Sequence, residues 1–262
     1  MTSPRDQTDS DASEMPELVI LKLGGSVITD KDRPETLDSA ALEAAASAIA
    51  RRLDGSLRRL VVIHGGGSFG HHHASAHGVT TDTGTSHPDA ILDIHGAMTT
   101  LNRSVLDRLH AEGVPALPVH PLSVGARARD GEFTMPAAAV RGMLREGFVP
   151  VLHGDGVVHT GEGVTVLSGD ELVVSLADEL GAGRVGVCST VPGVLDGEEV
   201  IPEISSFEAV ADLLGESAST DVSGGMAGKI RQLLSLEAPA QVFGPDRLDA
   251  FLAGQQPGTC VR

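Results

Sequence analysis

A run of glycines followed by a histidine is the stretch of this sequence best suited to chemistry. It reads His64-Gly65-Gly66-Gly67-Ser68-Phe69-Gly70-His71 and directly follows the β-branched run at positions 61–63. Val and Ile favour a buried strand, and glycines at its end let a ligand approach the main chain. A helix that begins near Ser68 would turn free N–H groups toward the glycines. The stretch therefore predicts an anion site, most commonly one for phosphate.

The lysines support a phosphate site. Sixteen of the nineteen basic residues are arginines, and the three lysines are Lys22, Lys31 and Lys229. Each lysine lies in or beside a glycine-rich motif, Lys22 before Gly24-Gly25-Ser26 and Lys229 at the end of the stretch 221–229. A compact ammonium group suits a single phosphate oxygen, and arginine does not replace it there. We interpret the three lysines as phosphate-binding residues.

These motifs require a scaffold of alternating strands and helices. Apolar runs at 18–21, 61–63, 149–152, 164–167 and 184–188 predict buried strands, and each ends in a loop containing Gly, Ser or Asp. Thr36 is the predicted cap of a helix, and Pro88 begins another that carries His95 and Asn102 on its apolar face. The pattern predicts an α/β sheet covered on both faces, with ligands beyond the carboxyl ends of the strands.

Composition excludes several classes of function. The net charge of −17 disfavours nucleic acids and anionic membranes as partners and suggests adaptation to high salt. Aromatic residues make up 2% of the chain, which disfavours base stacking. Two cysteines fit a reducing cytosol, so a cytoplasmic location is expected, and no apolar run approaches the roughly 18 residues of a membrane span. Residues 1–16 read as a disordered acidic tail, and 17–262 as one domain.

Four other interpretations of the motifs are weaker. The G-x-G-x-x-G pattern at 65–70 lacks the second strand and acidic residue of a dinucleotide site. The run 224–229 is one residue shorter than a Walker A loop, and Ile230 replaces its hydroxyl residue. The histidines between positions 71 and 77 do not follow a zinc pattern, so no metal ligand is predicted. Ser68 lacks the nucleophile elbow of a hydrolase.

Phosphoryl transfer fits what remains. The motifs contain cations and glycine turns but no clear general base, and phosphoryl transfer depends chiefly on positioning and charge neutralisation. An acceptor that is already an anion needs no base. It needs cations and N–H donors, and His71 meets that need because a nearby dianion favours the imidazolium form. The residues therefore indicate a kinase for a small phosphorylated or phosphonate acceptor.

The same motifs carry a family resemblance. Lys22 to Ser26 with Lys31, the stretch 64–71, Ser168-Gly169-Asp170 and the stretch 221–229 resemble the amino acid kinase superfamily. Within it, the histidine after Gly-Ser-Phe-Gly resembles isopentenyl phosphate kinases of the archaeal type and fosfomycin kinases. The resemblance implies a three-layer αβα sandwich, an acceptor-binding part at about 17–160, an ATP-binding part at about 161–262, and a homodimer. It also implies ATP, Mg²⁺ and isopentenyl phosphate as ligands.

The resemblance assigns a role to each matching residue. Lys31 is expected to stabilise the transferring phosphoryl group, and Asp170 is expected to orient the lysines. Gly66, His71 and Gly154 are expected at the acceptor. The residues expected along the nucleotide are Lys22, Gly24, Gly25, Ser26, Gly67, Gly225 and Lys229.

Two positions depart from the family pattern, and two other functions stay open. Relatives often carry an acidic residue where this chain has Thr190-Val191-Pro192, and a Tyr where it has His153. A kinase for another small phosphate or for a fosfomycin-like phosphonate is the first alternative. The second is a nucleotide-binding sensor without turnover, which would not require Lys31.

Overall fold

The computed structural model describes residues 16–55, 57, 59–215 and 225–262. Nearly all of the predicted acidic tail and positions 221–224 of the last glycine motif lie outside the described residues. The strands are β1 (Leu18–Leu23), β2 (Arg59–His64), β3 (Ala116–Pro118), β4 (Ala126–Arg127), β5 (Phe133–Thr134), β6 (Val149–His153), β7 (Asp155–His159), β8 (Gly163–Leu167), β9 (Arg184–Cys188), β10 (Leu195–Asp196), β11 (Glu199–Val200), β12 (Glu203–Ile204), β13 (Ala240–Phe243) and β14 (Thr259–Val261).

The helices lie between these strands. They are α1 (Gly25–Ile28), α2 (Ser39–Leu53), α3 (Gly67–Ala76), α4 (Pro88–Ala111), α5 (Pro121–Val124), α6 (Ala138–Arg145), α7 (Gly169–Leu180), α8 (Ala211–Gly215), α9 (Gly225–Leu233) and α10 (Leu248–Leu252), with a 3₁₀ turn at Pro245–Arg247. None of the helices in the described ranges is long and apolar enough to cross a membrane.

One large sheet organises the molecule. Its eight strands run in the order β12-β14-β13-β9-β1-β2-β6-β3, and every neighbouring pair is parallel except β13 with β14. Successive residues of central β1 face opposite sides, because side chains alternate along a strand. Leu18 and Ile20 join the core under α6, α7 and α9, whereas Val19 and Leu21 join the core under α2, α4 and α10. The three-layer αβα prediction is confirmed.

A smaller sheet stands beside the large one and was not predicted. Its order is β5-β4-β7-β8, and β7 begins at Asp155, directly after β6. The sequence pattern predicts a loop at 153–156, because the glycines on both sides of Asp155 are more typical of a loop than of a strand. The Asp130-Gly131 pair is typical of a hairpin turn, and β4 and β5 form an antiparallel pair on either side of it.

The start of α2 differs from its prediction. Asp38, not Thr36, caps the helix, and its carboxylate accepts the N–H of Ala41 at 2.9 Å. The Thr36 hydroxyl instead donates to the Pro34 carbonyl. The buried face of α2 includes Leu42 and Ile49. Thr36 and Asp38 lie in one short polar segment, and both are residue types that commonly cap helices. Their spacing in the sequence alone did not show which of them caps α2.

Candidate active site

A cavity of about 260 Å³ lies at the carboxyl ends of the parallel strands. Because those ends meet at one edge of the sheet, the loops that follow β1, β2 and β9 all reach it. All the predicted site residues except Lys31 line this cavity. They are Lys22, Gly24, Gly25, Ser26, Gly66, Gly67, His71, Gly154, Asp170, Gly225 and Lys229.

The two glycine turns of the site touch each other. A Cβ on Gly25 would lie 2.1 Å from the amide nitrogen of Gly67, so no side chain fits there. Gly67 has a φ of +49°, in the left-handed region that favours glycine. Gly67 is also the first residue of α3. The packing of the turns exposes main-chain N–H groups to the cavity at the positive end of a helix, which suits an anion.

Two lysines share one carboxylate on the cavity floor. The Nζ of Lys22 lies 2.7 Å from Oδ2 of Asp170, and the Nζ of Lys229 lies 2.8 Å from the same oxygen. Burial lowers the pKa of Lys22 to about 8, although the Asp170 carboxylate opposes that shift. Burial alone would raise the pKa of Asp170, but the two ammonium groups hold it well below its usual range. The group carries one net positive charge, suited to phosphate.

The position of Asp170 is set by the start of α7. Ser168 caps this helix, accepting the N–H of Glu171, while the Glu171 carboxylate accepts the N–H of Ser168. Glu171 is also paired with the buried guanidinium of Arg127, at 2.8 Å from Nη1 to Oε1. This reciprocal cap fixes the first turn of α7. It thereby holds Asp170 between the two lysines and joins the small sheet to the cavity floor.

The part of the cavity formed by α3, α4 and β8 is largely apolar. His71 lies there on α3, and the wall beside it consists of side chains from α3, α4, the loop between them and β8, namely Ala74, Val79, Ile94, Met98, Val166 and Leu167. Met98 packs so closely that a Cβ on Gly70 would lie 2.8 Å from its sulfur. An imidazole beside an apolar wall suits a ligand with an anionic head and a hydrocarbon tail.

Lys31 stands apart from the other predicted residues. It is exposed and does not line the cavity. It lies at the tip of a turn whose base is closed by the bridge between Thr29 and Leu37. Ser68, at the start of α3, donates its N–H to the Thr29 hydroxyl at 3.0 Å. The turn is therefore fixed to the glycine loop at its base, while its tip carries the Lys31 ammonium group outside the cavity.

The other histidines in and just after α3 have separate surroundings. His73 Nε2 contacts the carboxylate of Glu35, and His77 Nε2 lies 2.9 Å from that of Asp93. His72 is exposed and does not line the cavity. His73 and His77 therefore contact different partners.

Next to the cavity residue Asp155 lies a polar cluster that the sequence analysis predicted only in part. His95 Nδ1 lies 2.9 Å from Oδ2 of the buried Asp155, and Asn102 contacts His64. His95 and Asn102 therefore have polar partners inside the protein, and neither lines the cavity. The hydrogen bond with Asp155 raises the pKa of His95. Asp155 itself lines the cavity and was missed, although it directly follows the predicted Gly154.

Comparison with known proteins identifies the family. The family model described as "Amino acid kinase family" matches residues 17–238. The isopentenyl phosphate kinase of Haloferax volcanii is 61% identical over 94% of this chain and 98% of that protein. The chain belongs to the amino acid kinase family. Its sequence places it in the isopentenyl phosphate kinase branch, and the enzyme of that name from Methanocaldococcus jannaschii is 31% identical over 92% of this chain and 97% of that one.

Solved structures of the same branch share the fold of this amino acid kinase. An X-ray structure of isopentenyl phosphate kinase superposes with a TM-score of 0.78 at 30% identity, over 92% of this chain and 98% of that chain. The product complex of the Thermoplasma acidophilum isopentenyl phosphate kinase superposes with a TM-score of 0.72 over 94% of this chain and all of that one. At 22% identity, this second likeness concerns the fold.

Proposed function

We propose that this amino acid kinase transfers the γ-phosphoryl group of ATP to isopentenyl phosphate, giving ADP and isopentenyl diphosphate for isoprenoid biosynthesis. The observation that carries the proposal is one cavity with two unlike sides. The cations Lys22 and Lys229 lie on one side, and His71 stands beside an apolar wall on the other. The names of the relatives at 61% and 31% identity support the same reaction.

The nucleotide side is proposed to bind the ATP phosphates. Lys22 and Lys229 supply two ammonium groups whose places are set by Asp170. The glycine turns supply main-chain N–H groups, and a side chain on Gly25 or Gly67 would clash with the other turn. ATP, when bound, supplies the phosphoryl group, and these residues offset its charge as it moves. The nucleotide-binding residues in this proposal are Lys22, Gly24, Gly25, Ser26, Gly67, Gly225 and Lys229.

The acceptor side is proposed to bind a phosphate monoester. Gly66, Gly154 and His71 would hold the phosphate, with the His71 imidazolium balancing its charge. No general base is needed, because the attacking oxygen is already anionic. Lys31 would stabilise the transferring group from its exposed turn, which must then bend toward the cavity. This movement is part of the proposal.

Mg²⁺ is proposed to enter with the nucleotide. The two carboxylates among the described residues that line the cavity already have partners: Asp170 contacts two lysines, and Asp155 contacts His95. Mg²⁺ commonly binds through substrate phosphates and retained waters, so this arrangement suits it. We expect EDTA to abolish turnover and excess Mg²⁺ to restore it. Turnover in the presence of EDTA, with no divalent cation added back, would contradict this part of the proposal.

A competition assay tests the proposed acceptor. The purified protein is given ATP with isopentenyl, dimethylallyl and geranyl phosphates and with fosfomycin, and ADP release is measured for each compound. We expect isopentenyl phosphate to give the highest kcat/KM. Preference for fosfomycin would establish the phosphonate kinase instead, and ATP binding without turnover on any acceptor would favour the sensor. The homodimer and the cytoplasmic location both stay predictions. Light scattering measures the oligomeric state.

A further inference from the structure

Two histidines lie directly behind the glycines of the acceptor side. His64 ends β2 and precedes Gly65, and His153 ends β6 and precedes Gly154. The two strands pair in parallel with His64 opposite His153, and the rings stack with centroids 5.4 Å apart. Both side chains are fully buried, and neither lines the cavity. The same His-Gly pair therefore occurs twice, side by side, at the edge where the acceptor is proposed to bind.

Each ring contacts the carbonyl of the glycine that follows it. Nδ1 of His64 lies 3.1 Å from the Gly65 oxygen, and Nδ1 of His153 lies 2.8 Å from the Gly154 oxygen. A carbonyl can only accept, so each Nδ1 must carry the proton. Burial lowers the pKa of both histidines, and the neighbouring His64 adds to the shift at His153. Each neutral ring therefore has its single proton on Nδ1.

The second nitrogen of each ring has a partner that fits this tautomer. Nδ1 of His120 lies 2.9 Å from Nε2 of His153 and can donate to it. Oδ1 of Asn102 lies 3.1 Å from Nε2 of His64, and the Asn102 amide nitrogen has no partner among the described residues. A ring that donates through Nδ1 must accept at Nε2, so we assign the Asn102 amide the reverse orientation, which turns its nitrogen toward the ring and gives that nitrogen an acceptor. With this assignment, Nε2 of each ring has a neighbour that can donate to it.

A fixed carbonyl also fixes the next N–H group. The C=O of Gly65 and the N–H of Gly66 belong to one planar trans peptide and point in opposite directions. The Gly65 oxygen faces the buried ring of His64, so the Gly66 N–H points away from it. Gly66 lines the cavity, and its N–H has no hydrogen bond to other described residues. The Gly154 N–H donates to the His64 oxygen at 3.0 Å, which ties the two pairs together.

We propose that His64 and His153 are positioning residues for the acceptor phosphate. Through the Gly65 carbonyl, His64 turns the Gly66 N–H into the cavity as a phosphate donor, and His153 holds the adjoining Gly154 wall. The inference rests on the proposed function, since it assigns a ligand to the acceptor side. Its chemical requirement is one N–H at the Nδ1 position of each ring, and neither charge nor the rest of the imidazole is needed.

Paired substitutions test this requirement. The amide nitrogen of an asparagine can take the place of Nδ1, whereas leucine fills the space without a donor. We expect His64→Leu and His153→Leu to raise the acceptor KM about 10-fold or more, since a donor to a charged group is lost or misdirected. The ATP KM should stay within about twofold. We expect His64→Asn and His153→Asn to keep most of the acceptor affinity.

The controls separate positioning from folding. His110→Leu removes an exposed histidine that contacts the Ala116 carbonyl at the far end of α4 and should leave both KM values unchanged. Equal losses in the Leu and Asn variants, or an unchanged acceptor KM in the Leu variants, would overturn the inference. A wild-type protein that is inactive on isopentenyl phosphate overturns the proposed function instead, and the same variants are then compared on the acceptor that it does phosphorylate.

Discussion

The two sides of the cavity differ in the groups they would offer to an anion. On the nucleotide side, Lys22, Asp170 and Lys229 form a compact ionic group, with the lysine nitrogens 2.7 and 2.8 Å from one carboxylate oxygen. On the acceptor side, the residues behind the glycines are buried histidines whose pKa values are lowered, as for His64 and His153. Under the proposed function, charge performs the recognition on the first side, and the orientation of peptide groups performs much of it on the second.

This difference predicts separate kinetic signatures. A substitution in the ionic group should act mainly on kcat and on ATP, because its cations face charge that moves during the reaction. A substitution behind the acceptor should act mainly on the acceptor KM, because it changes how a ground-state anion is held. Variants that mix the two signatures would show that the cavity works as one unit.

The largest effect is expected at Asp170. Asp170→Asn leaves two buried ammonium groups side by side without their shared counter-charge, and we expect kcat to fall by about 10²–10³-fold. The loss of a buried ionic partner should also lower the free energy of unfolding by about 3–5 kcal/mol. Steady-state kinetics and thermal unfolding measure the two effects. Asp178→Asn, on the exposed side of the same helix, is the control and should match the wild-type protein.

Lys31 sharpens the comparison because it belongs to neither side of the cavity. If its turn bends inward during transfer, Lys31→Ala should lower kcat by about 10²–10³-fold, as for other single preorganised donors. Arg33→Ala removes a charge from the same turn, where Arg33 pairs with Asp30, and should leave kcat nearly unchanged. A normal kcat in Lys31→Ala would show that the exposed position persists during the reaction.

His71 gives the next effect on the acceptor side. His71→Ala should raise the acceptor KM by about 10-fold, because a charge-assisted hydrogen bond to phosphate is lost. The ATP KM should change little. His72→Ala is a close control, since His72 is the adjacent exposed residue on α3 and does not line the cavity. An unchanged acceptor KM in His71→Ala would remove this residue from the proposed phosphate site.

The two sides also differ in how far the sequence predicts them. Gly25, Gly67 and Lys229 stand in dense local motifs, and the prediction that they meet depends only on parallel strands ending at one edge. In contrast, Asp155 contacts His95, which is 60 positions away in the sequence, and His64 contacts Asn102, which is 38 positions away. Their partners are fixed by how α4 packs across β2, β6 and β7, which no local pattern encodes. The exposed position of Lys31 depends on how the turn between Thr29 and Leu37 folds, and its expected role in transfer stays a prediction.

The smallest effect concerns stability and pH. Burial lowers the pKa of His64, His120 and His153 in the folded protein. In the unfolded chain, the pKa of a histidine is about 6.5. As the pH falls below about 6.5, the unfolded chain therefore binds more protons and stability declines, by at most about 1.4 kcal/mol per pH unit for each of the buried residues His64 and His153 and by less for the partly exposed His120. His95 has the opposite sign, because its hydrogen bond with Asp155 raises its pKa. Its contribution is complete at low pH and is lost as the pH rises through its folded pKa.

Urea unfolding between pH 5 and 8 separates these contributions. We expect His153→Asn to flatten the acid side of the stability curve, because the variant no longer holds a histidine in its neutral form. His95→Asn should remove the decline that accompanies rising pH, at the cost of leaving the buried Asp155 carboxylate without its cation. Curves of identical slope for the wild-type protein and both variants would mean that the histidines behind the acceptor side titrate freely. The acceptor side would then depend on charge in the same way as the nucleotide side.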